Sequence, residues 1–138
     1  MDIIVKNKKT IEEYAMQEHS KTSIVISIAS KNSCKAAIKP DSINKIKDIQ
    51  FVRFNDTDST DGIEDTDAYK IKQFILNHIN DTDLDLIIVQ CEAGQSRSAG
   101  VAAALMKYLW NDDTEIFNNK LYKPNMLCYR KVLNALMS

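Results

Sequence analysis

The sequence predicts an α/β fold in which a central, mainly parallel sheet is flanked by helices. Helix and strand patterns alternate along the chain, which is typical of this class. The segments SIVISIA (23–29) and LIIV (86–89) are apolar along most of their length, as expected of strands buried on both faces. Sheets of this kind bind ligands at the carboxyl ends of their strands. We therefore expect functional residues directly after the strands.

The first half of the chain predicts three strands and one helix. The segment IIV (3–5) is short and suits an edge strand. Thr10 is a suitable N-cap for a helix that we expect to continue to about His19. SIVISIA and IQFVRF (49–54) are rich in β-branched and aromatic residues, so each predicts a strand.

The second half predicts three helices around one more strand. Apolar residues recur at helical spacing between Asp67 and Ile79, and Asp65 and Thr66 are placed to cap this helix. LIIV follows as a buried strand, a second helix begins at about Arg97, and a third is entered through Pro124. The expected apolar stripes are Ala68, Ile71, Phe74, Ile75 and Ile79, then Val101, Leu105 and Leu109, then Met126, Tyr129, Leu133 and Leu136.

Composition limits the possible partners. A chain of 138 residues matches the size of one domain, so we expect a single domain over residues 1–138. Its net charge of -1 offers no basic surface for a polyanion, so nucleic acid and membranes are not expected partners. No signal-peptide core or membrane span is visible, so we expect the protein in the cytoplasm.

The cysteines and histidines indicate thiol chemistry rather than a disulfide framework or a metal site. Cys34, Cys91 and Cys128 are far apart and odd in number. We expect Cys34 and Cys128 to pack in the core. The two histidines are isolated and show no zinc-ligand spacing, so no metal and no other cofactor is expected.

The segment CEAGQSRSAG (91–100) holds two of the three glycines of the chain, between the buried strand and the second predicted helix. Cys91 follows the strand directly and Arg97 begins the helix, so the residues between them must form a tight loop. Unpaired N–H groups in such a loop and at a helix N-terminus attract anions, phosphate above all. Gly94 lets the loop curl, and Gly100 allows the helix to pack closely against a neighbour.

Arg97 and Cys91 supply the chemistry at this anion site. The guanidinium of Arg97 is a planar fork of donors suited to bidentate phosphate contact. The amides, the helix dipole and the guanidinium all stabilise negative charge, so they favour a thiolate at Cys91 over a thiol. A thiolate beneath a bound phosphoryl group is a positioned nucleophile.

At these residues the chain resembles a known family. Residues 91–98 are similar to the signature loop Cys-x-x-Gly-x-x-Arg-Ser/Thr of cysteine-dependent protein tyrosine phosphatases. The segment FNDTDSTDG (54–62) precedes the cysteine about where the dual-specificity branch carries its general acid, and Pro124-Asn125 resembles the pair that opens the last helix of that branch. The resemblance spans about residues 49–137. Because the acid precedes the cysteine, low-molecular-weight phosphatases and arsenate reductases are disfavoured.

The resemblance implies a protein tyrosine phosphatase-like fold of dual-specificity size and a role for each matching residue. Cys91 would attack phosphorus, and Arg97 would stabilise the transition state. Asp56 would protonate the leaving oxygen and later activate water, while Ser98 would stabilise the departing thiolate. The loop residues expected to bind the phosphate are Glu92, Ala93, Gly94, Gln95, Ser96 and Arg97.

Three aspartates compete for the acid role. The pattern Asn-Asp-Thr favours Asp56, with Asp58 and Asp61 as alternatives, because aspartates are also common in turns. The acidic run 56–67 resembles a calcium loop only superficially. An EF-hand requires glycine at its sixth place and glutamate at its twelfth, where this chain has Asp61 and Asp67.

One departure from the family pattern bears on activity, and the composition of the loop bears on the substrate. Gln90 stands where the family usually has histidine, and we expect it to keep a structural hydrogen bond. Glu92 and the absence of lysine in the loop disfavour phosphoinositides, leaving phosphotyrosine or mixed phosphoprotein substrates and a shallow site. Because only Gln90 departs, a phosphopeptide-binding pseudophosphatase without turnover is the alternative interpretation.

Overall fold

The computed structural model describes residues 1–138 and contains four strands and five helices. No helix is both long enough and apolar enough to cross a membrane. In chain order the elements are β1 (Asp2–Lys6), α1 (Lys8–Ala15), β2 (Ser23–Ala29), β3 (Ile46–Arg53), α2 (Asp65–His78), β4 (Leu86–Gln90), α3 (Arg97–Trp110), α4 (Thr114–Phe117) and α5 (Met126–Met137).

The four strands form one parallel sheet in the order β1-β4-β2-β3, which confirms the predicted fold class. β1 lies at an edge, as its short apolar segment predicted. In the central pair, Ser27 of β2 lies opposite Gln90 of β4. Because all strands run in the same direction, the residues that follow them meet at one end of the sheet, here called the carboxyl edge. The residues that precede the strands meet at the other end, the amino edge.

Both faces of the sheet are covered, which explains why every residue of β2 and β4 is buried. On one face, α2, α3 and α5 enclose a core of 26 buried residues. The opposite face holds a smaller cluster, in which Ile11 of α1 packs with Val25 and Ile88. Burial on both faces leaves the end of β4 as a rigid support for whatever follows it.

The boundaries of two helices, α1 and α2, differ from their predicted positions. α1 is capped by Asn7, whose side chain accepts a hydrogen bond from the Thr10 N–H at 2.8 Å, so Thr10 lies inside the helix. The helix ends at Ala15 rather than near His19. The ring of His19 folds back to stack on Tyr14, with 3.6 Å between centroids, and its Nε2 lies 2.8 Å from the Tyr14 carbonyl oxygen.

The second of these helices, α2, differs at its start. Its N-cap is Glu64 rather than Asp65 or Thr66. The Glu64 N–H donates to the Asp67 carboxylate at 2.9 Å, so the acidic residue inside the first turn completes the cap.

The buried face of α5 also differs from the predicted stripe. Leu136 is buried as predicted, and Tyr129 and Leu133 are partly buried against the core, but Cys128 and Val132 are fully buried instead and Met126 is exposed. A Cβ atom added to Gly100 would lie 3.1 Å from the Cys128 Cβ, so α3 and α5 meet at a point where only small residues fit.

The two remaining cysteines have different environments. Cys128 is fully buried, as predicted, whereas Cys34 is exposed in the loop between β2 and β3, so its predicted core position is wrong. The sequence prediction also omitted α4, because a four-residue helix is too short for a periodic pattern.

Candidate active site

The segment from Cys91 to Arg97, here called the cysteine loop, joins the buried strand β4 to α3. The first and last side chains of the loop are deeply buried, with Cys91 2% and Arg97 5% exposed. The Cys91 N–H donates to the Lys6 carbonyl at 3.4 Å, which ties the start of the loop to the end of β1.

In the cysteine loop, the backbone N–H groups after Cys91 are free, while several of the carbonyls accept hydrogen bonds. The carbonyls of Glu92, Gln95 and Ser96 accept hydrogen bonds from N–H groups of neighbouring segments. These donors are Lys8, Lys123 and Asn125, at 3.1, 2.9 and 2.9 Å. No N–H group from residue 92 to 97 donates to another atom of the protein. The loop therefore offers a concentrated set of amide donors, as anion-binding loops do.

Two glycines permit this geometry. Gly94 has a φ of +68°, and a Cβ atom there would lie 2.8 Å from the Asn7 nitrogen, so any other residue would be both strained and obstructed. A Cβ at Gly100 would lie 2.4 Å from the Asn125 carbonyl oxygen. The first glycine curls the loop against the β1–α1 connection, and the second brings the start of α5 close to α3.

Arg97 is held by neutral acceptors. Its Nη1 donates to the Phe54 carbonyl at 2.8 Å and to the Ser30 hydroxyl oxygen at 3.0 Å. None of the ion pairs in the structure includes Arg97, and its Nε is buried without a hydrogen-bond partner. A buried cation without a counter-ion is costly. The arrangement thus favours binding of an anion.

Cys91 lies beside a buried hydroxyl group. Its Sγ is 3.0 Å from the Oγ of Ser98, which is fully buried in the first turn of α3. The other buried cysteine is chemically distinct: burial, and then the negative charge of Asp56, raise the pKa of Cys128 to about 12. Cys128 is therefore a neutral thiol at physiological pH and does not compete as a nucleophile.

Of the three candidate aspartates, only Asp56 contacts the cysteine loop. Its Oδ1 accepts hydrogen bonds from the Ser96 hydroxyl at 2.8 Å and from the Asn125 side-chain amide at 2.9 Å. Asp58 is exposed and makes no side-chain contact to the loop, while Asp61 pairs with Lys31 at 3.5 Å. The fold thus brings Asp56, but neither alternative, to the cysteine loop.

Gln90 lies buried under the start of the loop. Its Nε2 donates to the Cys91 carbonyl at 3.1 Å, and its Oε1 accepts a hydrogen bond from the Ser27 hydroxyl. The Cys91 carbonyl fixes the orientation of the amide, because a flipped Gln90 would turn an oxygen toward it, whereas the Ser27 hydroxyl can donate or accept. The structural hydrogen bond expected of Gln90 is present, and both of its partners are uncharged.

Sequence reasoning missed two residues of this site, Ser27 and Ser30, and it noted Asn125 only as part of the pair that opens the last helix. Ser30 directly follows a strand, a position where polar residues approach a ligand, so its signal was available. Asn125 joins three segments, since it also caps α5 through the Cys128 N–H at 3.0 Å and donates to the Thr57 carbonyl at 3.3 Å.

The cysteine loop has two further charged or polar side chains, those of Glu92 and Gln95. Glu92 and Gln95 are exposed, and neither side chain makes a hydrogen bond within the protein. No group of three or more His, Cys, Asp or Glu side chains is arranged to hold a metal ion.

Comparisons with known proteins give a consistent fold. No protein-family model matches the chain, and no curated protein matches it significantly. Among solved structures, a mouse putative dual specificity phosphatase complexed with zinc tungstate aligns with a TM-score of 0.62 and 14% identity, over 98% of this chain and 82% of that one. Human DUSP28 aligns with a TM-score of 0.59 and 11% identity, over 98% and 91%.

A third similar solved structure is that of a phosphatase-like protein. The human tyrosine phosphatase-like serine/threonine/tyrosine-interacting protein aligns with a TM-score of 0.58 and 17% identity, over 82% of this chain and 75% of that one. The chain therefore has a dual-specificity phosphatase-like fold, in agreement with the resemblance of its cysteine loop.

Proposed function

We propose that this protein hydrolyses phosphate monoesters of phosphotyrosine proteins, with phosphoserine and phosphothreonine as further substrates, through a phosphocysteine on Cys91. One observation carries the proposal. The nucleophile begins a loop whose amides from residue 92 to 97 are free and whose buried Arg97 lacks a counter-ion. Such a set of donors suits a phosphoryl dianion.

The first step transfers the phosphoryl group to sulfur. The Cys91 thiolate attacks phosphorus, an S–P bond forms, and the bond to the leaving oxygen breaks. Arg97 and the loop amides stabilise the charge on the three other oxygens. Asp56 donates a proton to the leaving oxygen, which departs as a neutral hydroxyl group.

The position of Asp56 supports its role as the acid. Both hydrogen bonds from Ser96 and Asn125 go to Oδ1, so Oδ2 has no partner within the protein. The engaged oxygen fixes the carboxyl group, and the other oxygen is available to carry the transferred proton. Because Ser96 belongs to the cysteine loop, the acid and the phosphate site are connected by one hydrogen bond.

The second step regenerates the thiolate. Water attacks the phosphorus of phosphocysteine while the Asp56 carboxylate takes one of its protons. The S–P bond breaks and inorganic phosphate is released. The Ser98 hydroxyl, at 3.0 Å from the sulfur, stabilises the thiolate that departs.

A phosphorylated protein is the substrate and partner that best fit the site. Glu92 is exposed on the loop and adds negative charge beside the site, which disfavours a ligand with several phosphates. We further infer that residues 1–138 act as a single catalytic domain in the cytoplasm. The alternative function is phosphopeptide binding without turnover, and Gln90 in place of histidine is the observation that favours it.

Release of phosphate from p-nitrophenyl phosphate, in EDTA and reductant, tests the proposal. We expect turnover by the natural chain, complete loss in Cys91→Ser, and full activity in Cys34→Ser, the control for an exposed cysteine. Activity that survives Cys91→Ser would refute the mechanism. An inactive natural chain that binds phosphotyrosine peptides would instead establish the binding module.

A further inference from the structure

Ser30 is the residue that follows β2, and its hydroxyl contacts the guanidinium of Arg97. We propose that Ser30 is a positioning residue that sets the plane of Arg97 and thereby presents one edge of the guanidinium to the bound phosphate. The inference rests on the proposed function and names a residue on which phosphate affinity depends.

The hydrogen bonds of Arg97 divide its guanidinium into two parts. The group has five N–H donors in one plane. Both hydrogens of Nη1 are used, one by the Phe54 carbonyl at 2.8 Å and one by the Ser30 hydroxyl oxygen at 3.0 Å. Neither Nε nor Nη2 donates to an atom of the protein, and Nε is buried. Since Nε and Nη2 share one edge, that edge is left whole for bidentate contact with two phosphate oxygens.

Two acceptors are needed to define this orientation. The Phe54 carbonyl is fixed by the backbone, because the Phe54 N–H donates to the Ala29 carbonyl at 3.0 Å. With that acceptor alone the guanidinium plane can still rotate about the single hydrogen bond. The Ser30 hydroxyl supplies the second point and removes this freedom.

Ser30 is itself fixed by its surroundings. Its carbonyl accepts hydrogen bonds from the Ser33 N–H at 3.2 Å and from the Arg53 side chain at 3.3 Å. The turn after β2 is therefore tied to the end of β3. The hydroxyl of Ser30 therefore contacts Arg97 from a segment that these hydrogen bonds hold in place.

The neutrality of the two acceptors matters as much as their position. A carboxylate in place of Ser30 would hold Arg97 equally well, but it would also neutralise the charge needed for the phosphate. A hydroxyl and a carbonyl orient the guanidinium and leave its positive charge uncompensated. The site is thus rigid before the anion arrives, which lowers the entropic cost of binding.

Affinity for tungstate, a tetrahedral oxyanion, and kcat/KM for p-nitrophenyl phosphate test this role. We expect Ser30→Ala to weaken tungstate binding and to lower kcat/KM by about ten-fold each, the effect of losing one hydrogen bond to a charged group. Ser30→Thr, which keeps the hydroxyl, should restore most of the loss. Ser33→Ala is the matched control, because the Ser33 hydroxyl makes no hydrogen bond.

A double-mutant cycle separates positioning of Arg97 from a general structural effect. In an Arg97→Lys background, Ser30→Ala should have almost no further effect on kcat/KM, because the planar group that Ser30 orients is gone. The inference is overturned if the losses of kcat/KM from Ser30→Ala and Arg97→Lys add in the double variant. It is also overturned if Ser33→Ala loses as much kcat/KM as Ser30→Ala. Urea unfolding of each variant shows whether the chain still folds.

The outcomes also distinguish this inference from the proposed function. A natural chain that turns over substrate while Ser30→Ala is unchanged refutes the role of Ser30 and leaves the proposed function intact. A natural chain that binds tungstate without turnover refutes hydrolysis, and the tungstate affinities of the variants still decide the role of Ser30. A natural chain that neither binds tungstate nor releases phosphate refutes both.

Discussion

The two edges of the sheet handle charge in opposite ways. At the amino edge, His78 lies between Asp48 at 2.8 Å and Asp81 at 2.7 Å, and Lys47 pairs with Asp81 at 3.0 Å. At the carboxyl edge, Arg97 is buried without a paired carboxylate, and the amides from residue 92 to 97 have no acceptor. One edge pairs these charges with one another within the protein. The other keeps its donors available for a ligand.

At the amino edge, the charge of His78 is balanced by two aspartates, Asp48 and Asp81. Burial by itself lowers the pKa of His78, but the hydrogen bonds to Asp81 and Asp48 outweigh it, so the net effect is a raised pKa. Hydrogen bonds from His78 and then Lys47 lower the pKa of Asp81. Each group favours the charged form of the other, as expected for a cluster that acts on folding rather than on a ligand.

The largest expected effect comes from removing the uncompensated charge. Arg97→Met should lower kcat/KM by at least about 10³-fold, because the main cation of the site is lost. Its urea midpoint without ligand should change little, because removal of an unpaired buried cation offsets the loss of the hydrogen bond to the Phe54 carbonyl. Added tungstate should raise the midpoint of the natural chain but not that of the variant. A strongly destabilised Arg97→Met would show that Arg97 is structural, like the charges at the opposite edge.

The next effect concerns the acid that reaches the cysteine loop. Asp56→Asn should lower kcat for a phosphotyrosine peptide by about 10²–10⁴-fold, because the leaving oxygen then departs without a proton. Asp58→Asn and Asp61→Asn are matched controls from the same segment and should stay close to the natural rate. Full activity in Asp56→Asn together with a large loss in either control would transfer the acid role to that residue.

A smaller effect on kcat/KM is expected from substitution of Gln90, which lies beneath the cysteine loop. Gln90→Leu removes the donor to the Cys91 carbonyl, so kcat/KM should fall by about ten-fold as the start of the loop loses one support. Gln90→His should retain activity if its ring donates to the same carbonyl. Steady-state kinetics of both variants measure this, and an unchanged rate in Gln90→Leu would show that the hydrogen bond does not support the loop.

The smallest effect lies at the amino edge and concerns stability alone. Because the folded pKa of His78 is raised above its ordinary value of 6.5, the cluster stabilises the fold fully below that pH. This contribution disappears as the pH rises through the raised pKa. Urea midpoints of the natural chain and His78→Asn should therefore differ more at about pH 5.5 than at about pH 8.5. Equal differences at both values, or a loss of phosphatase activity, would contradict the separation of the two edges.

Local patterns predicted most of the elements and the part of the site that is contiguous in the chain. SIVISIA and LIIV became the two central strands, because burial on both faces is visible in any run of apolar residues. The positive φ of Gly94 matches the expectation from its place in a tight loop. Where a boundary was wrong, as at Thr10, competing caps lay within one turn of each other and the sequence did not rank them.

The sequence by itself determined the fold class and the Cys91–Arg97 loop, because both depend on neighbouring residues and on the alternation of apolar and polar positions. Only the tertiary structure decided which aspartate meets Ser96, and that Ser30 and Phe54 orient Arg97. These partners lie far apart in the chain and converge through the strand order β1-β4-β2-β3. A contact of this kind depends on how the ends of parallel strands meet, which no local pattern encodes.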